Sequence, residues 1–251
     1  MPFAPRRIIL AAVVALSPGL AVAGTATVAV AANFTVTLEK LVARFEAGDA
    51  HDIRIVPGST GKLTVQIMHG APFDIFLAAD AERPALLVAE GRARAEDRRV
   101  YALGRLALWS RNEVASEDLL RNGRLPRLAI ANPDLAPYGA AAEQVLTHYG
   151  RTGDTRPAIV RGENITQAIA MLATGNVDYG LVPLSVQGTE FAQGGHLWTI
   201  PPEAHAPIRQ DAVLLKRGTT NPAAAAFFAF LTSQEARAII LADGYETGAA
   251  P

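Results

Sequence analysis

Four short stretches of the chain concentrate glycine with small polar side chains: Ala31-Ala32-Asn33, Gly58-Ser59-Thr60-Gly61, Asn132 to Gly139, and Gly162-Glu163-Asn164-Ile165. Each lies where a strand pattern gives way to a helix pattern. A helix start presents unbonded N–H groups and roughly +0.5 of an elementary charge, which suits an anion. In open α/β sheets ligands gather at the carboxyl ends of strands, where such loops sit. Any one of these loops is ordinarily no more than a helix cap, since Asn, Ser and Thr satisfy orphan amides with no ligand present. Four of the same kind favour a shared task. Asn33 offers a side-chain NH₂, and Ser59 and Thr60 offer hydroxyls.

Other chemistries fit less well. Gly61-Lys62 suggests a phosphate-cradling loop, but that motif needs glycine at Val56 and Ser or Thr at Leu63. Lys62 then reads as a solvated charge at a helix start. No G-x-S-x-G elbow surrounds Ser59 or Ser185, so neither is marked as a nucleophile. The five histidines are isolated, with no H-x-x-x-H pair to hold a metal. Asp74 and Asp80 flank an apolar run and read as loop and cap residues rather than an acid–base pair. The absence of cysteine excludes disulfides, thiolate metal sites and a lipidated cysteine. A net charge of -1, with Arg and Lys scattered among acids, argues against a nucleic-acid surface.

The elements that must position those loops alternate between short apolar runs and helical spacing, the pattern of β-α-β units. Strands are predicted at Thr25–Ala31, Asp52–Val56, Phe73–Ala79, Arg127–Ala131, Tyr179–Val182 and Ala212–Lys216. Leu38, Leu41, Val42 and Phe45 mark a helix that Gly48 stops; Leu63 with Ile67 marks another. Further helices are predicted over Pro84–Glu90, Ala140–Tyr149, Ile165–Thr174, Asn221–Leu231 and Gln234–Leu241. Two extended stretches, Val100–Arg111 and Leu197–Ala212, read as crossings between a first lobe (24–106 and 207–251) and an inserted second lobe (107–206). The strand near Ala212 has no partner close in sequence and is expected to return to an earlier sheet. Ahead of all this, Arg6-Arg7, an apolar run from Ile8 to Leu16 and Ala21-Val22-Ala23 form a signal-peptide layout over 1–23, with cleavage near Ala23 and export to the periplasm. The run is too short for a membrane anchor.

With these segments in view, the chain resembles the type II solute-binding proteins of ABC importers, in particular their periplasmic molybdate-binding branch. The likeness spans nearly all of the mature chain. It rests on Val28-Ala29-Val30-Ala31-Ala32-Asn33-Phe34, on Gly58-Ser59-Thr60-Gly61-Lys62-Leu63, on Gly70-Ala71-Pro72-Phe73-Asp74-Ile75-Phe76 with Ala78-Ala79-Asp80, and on Asn132-Pro133, Pro137-Tyr138-Gly139 and Gly180-Leu181-Val182-Pro183. The resemblance implies two lobes, each a mostly parallel sheet flanked by helices, closing on one oxyanion in the cleft between them. Molybdenum enters only as that oxyanion, and tungstate is equally admissible. It implies no cofactor, no catalysis, a membrane permease as partner, and a monomer. By position, Asn33 and either Ser59 or Thr60 would hold the ligand from one lobe, and the main-chain N–H groups of Tyr138 and Ile165 from the other, with Ala32 adding to the first. Where some members place a tyrosine hydroxyl, this chain has Pro183, which has no donor. Receptors for sulfate, thiosulfate or phosphate and an exported α/β enzyme remain as alternatives. A ferric-ion receptor would want clustered tyrosines, and Tyr101, Tyr138, Tyr149, Tyr179 and Tyr245 are dispersed.

Overall fold

The computed structural model describes residues 24–48 and 51–247. The signal-peptide reading of 1–23 lies outside them. The chain runs β1 (Thr25–Ala31), α1 (Thr35–Glu46), β2 (Asp52–Gly58), α2 (Thr60–Met68), β3 (Ile75–Leu77), α3 (Glu82–Ala89) and β4 (Ala93–Gly104). It then crosses into β5 (Leu106–Ser110), α4 (Glu117–Asn122), β6 (Arg127–Ala131), α5 (Pro137–His148), β7 (Ala158–Gly162), α6 (Ile165–Ala173), β8 (Tyr179–Pro183), α7 (Glu190–Gln193) and β9 (His196–Thr199). It returns through β10 (Ile208–Leu215) and ends in α8 (Pro222–Phe230) and α9 (Gln234–Ala242).

Two five-stranded sheets result, ordered β2-β1-β3-β10-β4 and β7-β6-β8-β5-β9. The two share one plan. In each, three strands run parallel (β2, β1, β3 and β7, β6, β8), and a strand that enters or leaves through a crossing packs antiparallel beside the third. An outer antiparallel strand, β4 or β9, completes each sheet. The fold is thus the expected two-lobed α/β architecture, with the crossing strands making each sheet mixed. The strand near Ala212 does return to the first sheet, lying between β3 and β4.

Burial explains the elements. Leu38, Leu41, Val42 and Phe45 put one face of α1 on the first sheet, against β2 and the C-terminal α9, with Phe45 reaching α8. Phe45 and Phe227 meet edge to face at 5.1 Å between centroids. In the second lobe Leu128, Ile130, Ala142, Val145 and Leu146 form the equivalent layer. Covering both faces of the parallel strands with helices requires near-continuous apolar runs, as in Val28-Ala29-Val30-Ala31.

Several sequence expectations shift. The single extended stretch over Val100–Arg111 is two strands broken at Arg105, because the chain leaves one sheet there and enters the other. The last sheet strand starts at Ile208, four residues ahead of Ala212, since its polar residues are paired: Asp211, fully buried, bonds Arg98 at 2.6 Å and Arg209 at 2.9 Å. Asp74 does sit in the loop before β3, but not at the surface. It is buried, accepts the N–H of Thr27 at 2.8 Å and pairs with Arg217 at 3.2 Å.

Candidate functional site

Four chain turns converge between the sheets. Ala31 ends β1 and leads through a 3₁₀ turn, Ala32–Phe34, into α1; Gly58 and Ser59 join β2 to α2. From the other lobe come Ala136, Pro137 and Tyr138 at the start of α5, and Asn164 and Ile165 at the start of α6. With Ala79 these residues line one small cavity of about 10 Å³. Organic ligands usually occupy pockets of ~300 Å³ or more.

The residues proposed from sequence all line this cavity: Ala32, Asn33, Ser59, Thr60, Tyr138 and Ile165. Their donors are not equally free. Ser59 is 2% exposed, and its Oγ has no hydrogen-bond partner among the described residues. It occupies the N-cap position of α2 yet makes no side-chain cap bond. Thr60 Oγ1 accepts the N–H of Ala79 at 3.2 Å, which leaves its own O–H available as a donor alongside that of Ser59. Asn33 caps no helix. Its Nδ2 donates to Gln210 Oε1 at 2.9 Å and to Tyr245 Oη at 3.2 Å, so both amide hydrogens have protein acceptors. Tyr138 and Ile165 open α5 and α6, where main-chain N–H groups have no acceptor within the helix. The Tyr138 side chain points away, toward the crossing, where Gln210 Nε2 donates to its hydroxyl at 3.4 Å. Asn164 is a true cap, its Oδ1 accepting the N–H of Gln167 at 3.1 Å.

The family model described as bacterial extracellular solute-binding protein matches residues 26–246. The chain belongs to that family. This solute-binding protein is 43% identical over 241 residues to the molybdate-binding protein ModA of Azotobacter vinelandii, covering 93% of this chain and 96% of the relative. It is 42% identical to the ModA of Rhodobacter capsulatus, covering 94% and 95%. Among solved structures, the periplasmic molybdate-binding protein of Azotobacter vinelandii superposes with a TM-score of 0.82 at 35% identity, over 89% of this chain and 99% of that one. The sulfate-binding protein SubI of Mycobacterium tuberculosis shares the fold, with a TM-score of 0.74 at 12% identity over 90% and 88%.

Among the described residues none that lines the cavity of this solute-binding protein carries a charge. The nearest cations in sequence are engaged elsewhere. Lys62, expected as a solvated surface charge, is exposed and pairs at 2.6 Å with Glu163 of the other lobe, the two side chains being 49% and 39% exposed. Arg83 pairs with Asp80 at 2.5 Å and reaches the carbonyl of Asp134 at 3.1 Å. Behind the cavity the buried hydroxyls stay protonated, because burial pushes the Tyr138 phenol well above its ordinary value and the Tyr245 phenol up to about 12. No group of three or more His, Cys, Asp or Glu that could hold a metal cation occurs among the described residues. The cavity wall presents neutral hydrogen-bond donors and the starts of three helices.

Sequence reasoning did not single out Gln210 or Tyr245, which lie behind the cavity wall, bonded to Asn33, and carry no local motif.

Proposed function

We propose that this chain is an extracytoplasmic receptor that captures molybdate or tungstate between its lobes and delivers it to the membrane permease of an ABC importer. The observation that carries the reading is the buried, unpartnered Ser59 Oγ in a charge-free cavity at the starts of α2, α5 and α6 and the turn into α1. A fully deprotonated dianion needs donors only, and donors are what this wall presents. Phosphate, partly protonated near neutrality, would want an acceptor. Asp134 and Glu163, the acids of the four loops, are not among the lining residues, and Glu163 is occupied by Lys62. The high identity to proteins named for molybdate binding supports the same ligand here.

The protein acts as a binding module, without catalysis and as a monomer. Residues 24–106 and 207–251 form the first lobe and 107–206 the second, with cleavage near Ala23 releasing the mature chain into the periplasm. Hydrogen bonds from Ser59, Asn33 and the N–H groups of Ala32, Thr60, Tyr138 and Ile165 would surround the anion.

Thermal melting against molybdate, tungstate, sulfate, thiosulfate and phosphate tests this. A ligand present at 100 times its Kd stabilises the folded form by about 2.7 kcal/mol. For a chain of this size that raises the midpoint by roughly 5–10 °C. Molybdate and tungstate are expected to do so and phosphate not to. A midpoint indifferent to all five anions would overturn the receptor reading, and a shift with sulfate alone would reassign the ligand.

A further inference from the structure

Behind the cavity a chain of uncharged polar side chains crosses from one lobe to the other. Gln210 lies on β10, opposite Ala102 of β4 and next to an irregularity in the ladder at Gln210/Asp211, and is fully buried. A buried amide is costly unless its groups are paired. Here they are. Its Oε1 accepts Asn33 Nδ2 at 2.9 Å and lies 3.0 Å from the Tyr101 hydroxyl, and its Nε2 donates to Tyr138 Oη at 3.4 Å. Gly104 keeps the space open, since a Cβ there would fall 2.2 Å from Tyr138 Oη and 2.8 Å from Gln210 Nε2. Gln210 therefore touches one residue of each cavity wall.

The second holder comes from the C-terminal segment. Tyr245 is 3% exposed, with its ring edge-on to Phe34 at 5.1 Å between centroids. Its hydroxyl accepts Asn33 Nδ2 at 3.2 Å, donates to the Asn33 carbonyl at 2.7 Å and lies 3.1 Å from Ser185 Oγ of the other lobe. Asn33 is thereby fixed at both its amide nitrogen and its carbonyl. An anion entering the cavity can draw the N–H now given to Tyr245, the longer of the two bonds, while Gln210 keeps the other and the amide plane stays aimed.

We propose that Gln210 and Tyr245 are positioning residues of the cleft, setting the direction of the Asn33 amide and, through Gln210, its register with the Tyr138 wall of the opposite lobe. This rests on the oxyanion-receptor reading. Calorimetric titration with molybdate tests it on the wild type, on Gln210→Met and Tyr245→Phe, and on each combined with Asn33→Ala, with unliganded melting run alongside. Each single substitution is expected to raise Kd about tenfold, the value of roughly one hydrogen bond. In the Asn33→Ala background Gln210→Met should change Kd less than about twofold, because the amide it aims is gone, and Tyr245→Phe should keep only the part of its effect that runs through the main-chain carbonyl of residue 33. A purely structural role would lower the melting midpoint and leave Kd alone, or weaken binding equally in both backgrounds, and either result overturns the proposal for that residue. Tyr245→Phe retains the ring and its packing, so it decides the matter should Gln210→Met fail to fold. Wild-type protein that does not bind molybdate would overturn the receptor reading itself, a result distinct from a binding wild type with indifferent variants.

Discussion

Ser59→Ala separates the two things a serine at a helix start can do. If Ser59 served as a cap, its loss would cost ~0.5–2 kcal/mol. In a chain of this size that lowers the melting midpoint by about 2–4 °C for each kcal/mol. The structure gives no such bond to lose, for Oγ accepts no N–H from α2 and is buried without a partner among the described residues. Unliganded protein should therefore melt no lower than wild type. Binding is different. A hydrogen bond to a charged acceptor contributes about 1.5–3 kcal/mol, so its removal should raise the molybdate Kd by ~10- to 150-fold. Titration calorimetry reads the second quantity and thermal unfolding without ligand reads the first. A midpoint that drops by several degrees with an unchanged Kd would refute the assignment of Ser59 to the ligand.

Asn164→Ala should behave in the opposite way: its cap bond to Gln167 is real, so the midpoint should fall by about 2–4 °C with Kd within roughly threefold. Gly104→Ala forces a Cβ to 2.2 Å from Tyr138 Oη. A loss of ~1–3 kcal/mol of stability is expected in urea titration, together with weaker molybdate binding. Lys62→Ala removes an exposed pair across the cleft, worth at most about 1 kcal/mol, so Kd should rise no more than ~5-fold and the effect should vanish in high salt. The Tyr245 phenol holds its proton up to about 12 when folded, against 10.0 as the ordinary value. Between those pH values the unfolded chain has released a proton that the folded chain keeps, so stability should decline as pH rises through that window. The loss is on the order of a few kcal/mol, read as the difference in pH-dependent denaturation between wild type and Tyr245→Phe.

The local part of the site was legible because it depends on local chemistry. Alternating strand and helix patterns place the loops at Asn33, Ser59, Tyr138 and Ile165, and the fold brings those loops to one cavity. What each side chain does there was not legible. Ser59 and Thr60 are neighbours with the same functional group, and their difference, an N–H from Ala79 nineteen positions on accepted by Thr60 and no partner for Ser59 Oγ among the described residues, is set by the fold. Asn33 offers a free amide in sequence and a fully engaged one in the structure, through partners 177 and 212 positions away. Short edge elements were lost for a related reason. The strand Ala158–Gly162 is only partly buried, and the helix Glu117–Asn122 spans less than two turns, so neither leaves a clear apolar period. Polar residues hid the start of the strand at Ile208, because Asp211 is buried by pairing that sequence spacing cannot reveal.

A cavity lined by neutral donors has a consequence for how the lobes close. A fixed cation in the wall would have to be desolvated at closure, and its partner charge would arrive only with the ligand. Helix starts avoid this, since their partial charges are built into the backbone and need no counter-ion. What holds the lobes together at the cavity's edge is modest: the N–H of Gly61 on the carbonyl of Leu135 at 2.9 Å, the exposed pair of Lys62 with Glu163, and Arg83 on the carbonyl of Asp134 at 3.1 Å. Contacts of this kind contribute little net free energy in water. To the extent that such rim contacts set the balance, the difference in affinity of the anion for closed over open lobes is expected to decide the population. Substitutions that strengthen those rim contacts should raise apparent affinity without touching the cavity, by removing the fraction of molecules that must close before they can bind.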